Sequence, residues 1–512
     1  MAAKYLTLDV GTTAVKVGLF DRMFQMQDMV VKEYTLRSGP NGTVELDPNV
    51  YLDNVICGIR EIMERMHLAP EEVASITCTT QGETLIPVDQ NGNALHDAVV
   101  WLDARAMEEK ERIARQYPKE VFFEKTGIPE VTEYCPISKL LWFHNRMPEI
   151  YEKTDKFLLL EDFLIYKLTG KMVTNPSISC TTGYLDIRTK RLWTDILERN
   201  GLDPRKIPEI LPCGAKVGLL SQKAALATGL TERTMVTTGA MDQAASAIGV
   251  GNVVDGIVSE TTGTCMCVAA SVKDLKMDPE RPVPVYVHAV NSLYLRVSVS
   301  QTAGMVLKWF RDAFCEDLKE KGKNAYDAMS ALAEKEPPLS RGVILAPFLT
   351  GTETDSRVRG AYYGIGLDTT RGCCIRAVME AVGYTLLEKL NEMDVESDRI
   401  YSLGGAADSR VWNQIKADIS GRQIVIPEIG ESTSRGAALL GALALEDIGR
   451  IKEGIGKIQI RESYKPQPEN KKLYQDGYRE YRSFCETVIR YERSRRLAGE
   501  GRENPWKEEN RK

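Results

Sequence analysis

Asp9, Gly11, Thr12, Thr13 and Lys16 crowd into the stretch YLTLDVGTTAVKVGLFD, which begins at Tyr5. Leu6 and Leu8 precede them, and Val15, Val17 and Leu19 follow, alternating as strand residues do. A plain hairpin needs only a turn. This turn also carries an acid, two hydroxyls and a cation. Glycine lets a ligand approach the backbone closely, and turn N–H groups form a concavity for anions. Thr12 and Thr13 add donors, and Lys16 adds positive charge. Asp9, at the strand end, offers the oxygen ligand that Mg2+ takes, directly or through water. The set describes a phosphate cradle with its metal carboxylate. A decorated hairpin with a surface lysine would contain the same residues, and the spacing of a Walker loop is missing.

Three further stretches carry chemistry. SETTGTCMC places Thr261, Thr262, Gly263 and Thr264 between two strand-like runs. One such turn says little; two suggest a polyphosphate held from both halves of the chain. In SLGGAADSRVWNQIKADISG a strand ends at Gly404 and Gly405, and a helix starts near Ser409. Paired glycines let a flat base or a ribose lie on the backbone, and a helix N-terminus favours anions. In TTGAMDQAASAIGVG, Asp242 follows a strand and a glycine. An acid there can be a helix N-cap. It can also be a general base that takes the proton of a hydroxyl attacking a γ-phosphate.

The elements that must position these residues alternate between strand and helix. VASITCTT reads as a buried strand and the preceding YLDNVICGIREIMERM as a helix. A helix begins near Pro136, where proline fits the first turn. QIVIPE reads as a strand and STSRGAALLGALALEDIG as a helix of small residues. Each half opens with a polar hairpin, so two related α/β halves facing a cleft are expected. The boundaries fall at 1–250, 251–460 and 461–512. The last segment is helical and charged, and from about Arg490 it reads as a solvated, frayed end.

The chain has 512 residues, enough for more than one domain, with 43% hydrophobic and 27% charged residues as in ordinary globular proteins. A formal net charge of -6 without a basic stripe argues against nucleic acid as a partner. No apolar run is long enough to cross a membrane, and a strand begins so near Met1 that no signal peptide is expected. The 11 cysteines are irregularly spaced, with no Cys-x-x-Cys, which suits reduced thiols in a cytoplasmic protein better than zinc or disulfides.

From Tyr5 to about Gly449 the chain resembles the FGGY carbohydrate kinases, the group of xylulokinase, gluconokinase and glycerol kinase. YCPISKLLWFHNR, from Tyr134 to Arg146 with Lys139 and Trp142, fits the first family signature; GAYYGIGL at Gly360 fits part of the second, with Cys373 and Cys374 departing from it. The resemblance implies two actin-like, ribonuclease-H-like domains, the sugar kinase–Hsp70–actin fold, that close over ATP and a sugar in an interdomain cleft. It implies Asp9 as the Mg2+-associated carboxylate, and Gly11, Thr12, Thr13 and Lys16 as contacts to the β- and γ-phosphates. Gly263 and Thr264 would face the phosphates from the second domain. Gly304 and Lys308 in TAGMVLKW resemble a nucleotide segment, and Gly404, Gly405 and Ser409 the adenosine contacts. Asp242 corresponds to the catalytic base. A homodimer is common in the family.

Acceptor contacts in the family fall on Gln81, Glu83, Trp101, Tyr134 and the Asp242–Gln243 pair. QGET at Gln81 is similar to the Gln-Arg-Glu-Thr of glycerol kinases rather than to the Gln-Met-His-Gly of xylulokinases, whereas WLDARA at Trp101 is closer to the sugar branch. Gly82 replaces the arginine, which is expected to remove fixed donors and open space for an acceptor larger than glycerol. The expected reaction is ATP-dependent phosphorylation of a small sugar, a ketopentose such as xylulose first. A polyol such as glycerol or erythritol is the alternative. An actin- or Hsp70-like ATPase without transfer would have no use for these acceptor segments, and a binding protein that had lost catalysis need not keep Asp9 and Asp242.

Overall fold

The computed structural model describes residues 4–499 except 291, 319–323, 353, 447 and 457. The chain divides into two compact units. The first comprises Met1–Ile257, Ala269–Val297 and Glu428–Gln459; the second comprises Val258–Val268, Ser298–Pro427 and Ile460–Lys512.

The first unit is built on a six-stranded sheet in the order Lys216–Leu219, Met235–Met241, Val73–Thr80, Lys4–Val10, Ala14–Phe20, Met26–Glu33. The last three are antiparallel neighbours. Lys4–Val10, Val73–Thr80 and Met235–Met241 run parallel, with Val10 beside Thr80 and Thr80 beside Met241. Six successive residues of the first strand, from Tyr5 to Val10, are buried, the pattern of a strand covered on both faces. Helix Pro48–Arg65 covers one face. Asp47 caps it by accepting from the Asn49 N–H, and Tyr51, Val55, Ile59 and Ile62 form its buried stripe.

Helix Ser432–Ala444 packs on the sheet and on helix Asp242–Gly249 through small residues. A side chain at Gly436 would run into the Ala245 carbonyl, and one at Gly249 into the Ser432 carbonyl. A side chain at Gly441 would stand 2.7 Å from the hydroxyls of Ser75 and Thr77 on the sheet. Such glycines bring helix backbones closer than ordinary side chains permit. A five-stranded sheet, Arg37–Ser38, Val44–Leu46, Ala98–Val99, Leu85–Val88, Lys156–Leu159, carries the loops that follow Gln81 and Val100.

In the second unit, strand Val258–Thr262 turns into the strand that begins at Met266, and its other neighbour is the parallel strand Arg399–Leu403. Gln423–Pro427 follows in parallel, then Ile460–Tyr464 antiparallel. Helices Gly304–Phe314, Ala325–Glu334, Arg371–Met393 and Arg410–Ser420 surround them.

The frayed end expected from Arg490 is corrected by helix Pro468–Gly499, which runs through Arg490. Tyr474 and Tyr481 are buried, Tyr481 packs on Tyr384 at 4.8 Å, and the Arg496 guanidinium pairs with Asp355 at 2.6 Å. Tyrosines at helical spacing hold a charged helix that looks solvated by composition alone. The remainder of that tail, residues 500–512, lies outside the described residues. Among the described residues, no helix is long and apolar enough to cross a membrane.

Gly436→Ala inserts a methyl group against a backbone that cannot withdraw, and overpacking of this kind costs about 1–3 kcal/mol. Urea denaturation is expected to show a lower midpoint for this variant, whereas Gly449→Ala, where a side chain meets open space, leaves it unchanged.

Candidate active site

The parallel strands of the first unit place its candidate residues at one edge of the sheet. Asp9 precedes the end of the first strand and lies opposite Lys16 across the hairpin. The Gly11 N–H donates to the Ala14 carbonyl at 3.0 Å, and the Tyr34 hydroxyl donates to the Gly11 carbonyl. Thr13 is exposed, and the Thr12 hydroxyl accepts from the Trp101 indole N–H at 3.0 Å. The Gln81 N–H donates to the Val10 carbonyl at 3.0 Å, joining the QGET loop to the hairpin. Lys16 pairs with Glu431 at 3.1 Å, both partly exposed. Sequence reading did not find Glu431, which lies 415 residues away.

Burial governs the acids. The Asp9 carboxyl is raised to about 7, first by desolvation, then by the charge of Asp242, with Lys16 opposing. Asp242 is the first residue of its helix and follows the strand residue Met241 directly. Its carboxylate accepts from the Gln243 N–H at 2.7 Å, so it does not cap the helix through the usual N2 or N3 donor. Desolvation raises it to about 6, Gln243 lowers it, and the charge of Glu83 raises it further. Asp9, Asp242 and Glu83 therefore form one electrostatic group. Among the described residues, no cluster of three or more metal-ligating side chains exists. A cation here would take most of its oxygens from water or a ligand.

Around Gln81 the structure leaves buried polar atoms without partners. The Gln81 amide nitrogen donates to Thr84 at 3.2 Å, while its oxygen has no partner. The same holds for the Gln243 amide oxygen, whereas the Thr181 hydroxyl faces the Glu83 carboxylate and holds it down against burial. Most buried polar atoms in folded proteins are satisfied, so such a set marks a place where a ligand completes the bonding. Glu83 takes a left-handed conformation with φ of 57°, and burial raises its carboxyl. Lys139, fully buried, donates to the Glu83 carbonyl at 3.1 Å and to the Val100 carbonyl at 2.9 Å. It thereby joins the loop carrying Glu83 to the one carrying Trp101, and burial pushes its amine down to about 8.

Trp101 rests partly buried on the main core, and Tyr134 is 41% exposed. The expectation that Gly82 opens space is corrected. A side chain there would meet the Thr181 hydroxyl at 3.1 Å and the Met241 sulfur at 3.4 Å. Thr181 stands against Gly82 there, and no motif or spacing in the sequence singles it out.

The second unit holds a cavity of about 300 Å³ lined by Gly263, Thr264, Gly304, Lys308, Gly405 and Ser409, with Thr262, Tyr326 and Trp412. Seven residues singled out in the sequence, Thr262 among them, thus line one cavity. The Gly304 N–H donates to the Gly263 carbonyl at 2.9 Å, and the Met305 N–H to the Thr264 carbonyl at 3.1 Å. Gly404 stands behind the cavity wall with φ of 80°, where a side chain would come 2.7 Å from the Thr262 carbonyl. Ser409 caps helix Arg410–Ser420. Lys308 is exposed and pairs with Asp312 at 3.0 Å, a contact weak enough to yield to a ligand.

Residues 4–249 match the N-terminal domain of the FGGY family of carbohydrate kinases, and residues 258–445 match its C-terminal domain. The chain belongs to the FGGY family of carbohydrate kinases, ATP-dependent phosphotransferases that act on an alcohol group. It is 28% identical to a xylulose kinase of Staphylococcus epidermidis, over 94% of this chain and 96% of that one. It is 27% identical to a gluconokinase of Bacillus licheniformis, over 93% and 94%. The fold is that of a solved ligand-bound xylulose kinase from Lactobacillus acidophilus, with a TM-score of 0.86 at 24% identity over 95% of this chain and 98% of that one.

The raised carboxyl of Asp242 carries a cost that can be measured. Between about pH 4 and 6 the folded chain binds more protons there than the unfolded chain, so stability falls as pH rises and the full cost persists above 6. Asp242→Asn removes it. The variant is expected to melt about 2–4 °C higher than the wild type at pH 8, with a smaller gain at pH 4.5. An equal gain at both values would contradict the cause given.

Proposed function

We propose that this kinase transfers the γ-phosphoryl group of ATP to a primary hydroxyl of a neutral ketose, a ketopentose of the xylulose kind. The observation that carries this reading is the pair of buried amide oxygens on Gln81 and Gln243, near the Glu83 and Asp242 carboxylates. Those atoms call for a ligand that donates hydrogen bonds, as sugar hydroxyls do. A sugar acid would bring its own carboxylate against acids, and Lys139 is already turned to main-chain carbonyls. Trp101 and Tyr134 supply apolar faces for the carbon chain. The names of the relatives include both xylulose kinase and gluconokinase, and the pocket chemistry favours the former. The Gln81, Glu83 and Thr84 pattern keeps a polyol as the second reading.

In this mechanism Asp242, mostly ionised at neutral pH, takes the proton of the acceptor hydroxyl as its oxygen attacks the γ-phosphorus. The bond from that phosphorus to the bridging oxygen breaks, and ADP leaves. Lys16, Thr12, Thr13 and the Gly11 turn oppose the charge on the phosphates, as do Gly263 and Thr264. Gly304 and Lys308 follow along the nucleotide, and Gly404, Gly405 and Ser409 hold the adenosine. Asp9 is the residue that would hold Mg2+, directly or through water. The bound ion would offset phosphate charge, and it would also lower the Asp9 carboxyl that burial has raised.

ADP release with Mg·ATP should be measured across D-xylulose, other ketoses, D-gluconate, glycerol and erythritol. A ketose is expected to give the highest kcat/KM, with gluconate at least about tenfold lower. Asp242→Asn should retain ATP binding and lose about 10²–10⁴-fold in kcat on that ketose. Preference for gluconate would overturn the acceptor reading, and a variant with near-normal turnover would overturn the base.

A further inference from the structure

Glu260 and Lys416 form an ion pair with both side chains fully buried, their charged atoms 2.7 Å apart. Such a pair is expensive to desolvate, and an apolar pair of similar size often serves stability as well or better. Its connections suggest what else it does. Glu260 lies on strand Val258–Thr262, two residues before the end that leads into Gly263 and Thr264. One of its carboxylate oxygens accepts from Lys416 and from the Ser402 hydroxyl; the other accepts from the Thr262 hydroxyl at 2.6 Å. Lys416 also donates to that Thr262 hydroxyl at 3.1 Å. Ser402 lies two residues before Gly404, on strand Arg399–Leu403. Lys416 belongs to helix Arg410–Ser420, where its ammonium sits 5.6 Å from the centre of the Trp412 ring.

The network therefore joins three elements of the cavity assigned above to the nucleotide, the strand leading into Gly263, the strand leading into Gly404 and helix Arg410–Ser420, and leaves out the Gly304 and Ala325–Glu334 helices. Thr262 and Trp412 line that cavity themselves. On the opposite flank main-chain bonds from Gly304 and Met305 hold the turn. We propose that Glu260 and Lys416 are positioning residues for ATP: they fix the Gly263–Thr264 turn against the Gly404–Gly405 turn and the Arg410–Ser420 helix, so that phosphates and adenosine find their contacts already placed. Neither lines the cavity, so they act through the turn and the helix. This inference rests on reading the cavity as the nucleotide site.

The test is titration of the whole chain with Mg·ATP by calorimetry, with melting temperature measured in parallel. Lys416→Met leaves an unpaired buried acid and should lower both stability and affinity. Glu260→Leu with Lys416→Met removes both charges at similar volume. This double variant should recover most of the melting temperature while its dissociation constant for Mg·ATP stays raised by about tenfold or more. Ser402→Ala, which removes one link and leaves the ion pair, should give a smaller loss of affinity at near-normal stability, and it decides the matter if the double variant does not fold. A double variant, or failing that Ser402→Ala, that binds Mg·ATP as tightly as the wild type would overturn the proposal and leave the pair a core feature. A wild-type chain without affinity for Mg·ATP would instead overturn the nucleotide reading beneath it.

Discussion

The parallel pairing of Lys4–Val10, Val73–Thr80 and Met235–Met241 sets most of what the first unit can do. Once Val10, Thr80 and Met241 stand side by side, the residues that leave those strands must emerge at one edge. Asp9 and Gly11 come from the first strand, Gln81 and Glu83 from the second, and Asp242 from the third. Ligands of open α/β sheets commonly bind beyond the carboxyl ends of parallel strands, because only there do several loops converge. The hairpin partner Ala14–Phe20 adds Lys16 opposite Asp9.

That convergence has an electrostatic consequence. Burial first, and then the charge of a neighbouring acid, raises Asp9 and Asp242, which hold their protons to about pH 7 and 6. Such a group lowers stability and is suited to proton transfer near neutral pH. The second unit solves a different problem. Its cavity presents glycines, hydroxyls and a helix start, with Lys308, Asp327 and Asp408 also in its lining, and the buried charges behind it, Glu260 and Lys416, are paired. One unit offers bases and acceptors for a hydroxylated ligand, the other a wall of glycines and hydroxyls.

Much of this was legible in the sequence because the informative residues are local. The Asp9–Lys16 hairpin, the Gly263 turn, the Gly404–Gly405 turn and the Asp242 helix start each declare themselves within about a dozen residues. What was not legible depends on distant parts of the chain. Glu431 reaches Lys16 across 415 positions, and Glu260 reaches Lys416 across 156. Thr181 looks like any threonine until the fold stands it against Gly82. Lys139 was visible only as part of a signature; that its ammonium ties two loops together requires the fold. The charged C-terminal segment reads as helical in the sequence, but its continuation past Arg490 does not, because the buried tyrosines and the Arg496–Asp355 pair that hold it are averaged away in composition.

In the proposed mechanism Asp242, tuned by burial, accepts the proton of the attacking hydroxyl, and the measurement to make is the pH dependence of kcat/KM for the preferred acceptor at saturating Mg·ATP. The rate is expected to climb with pH through an inflection near 6 and level off above it, and an Asp242→Asn variant to lack that inflection. A wild-type profile that stays flat from pH 5 to 8, or an inflection that survives in the variant, would contradict that mechanism.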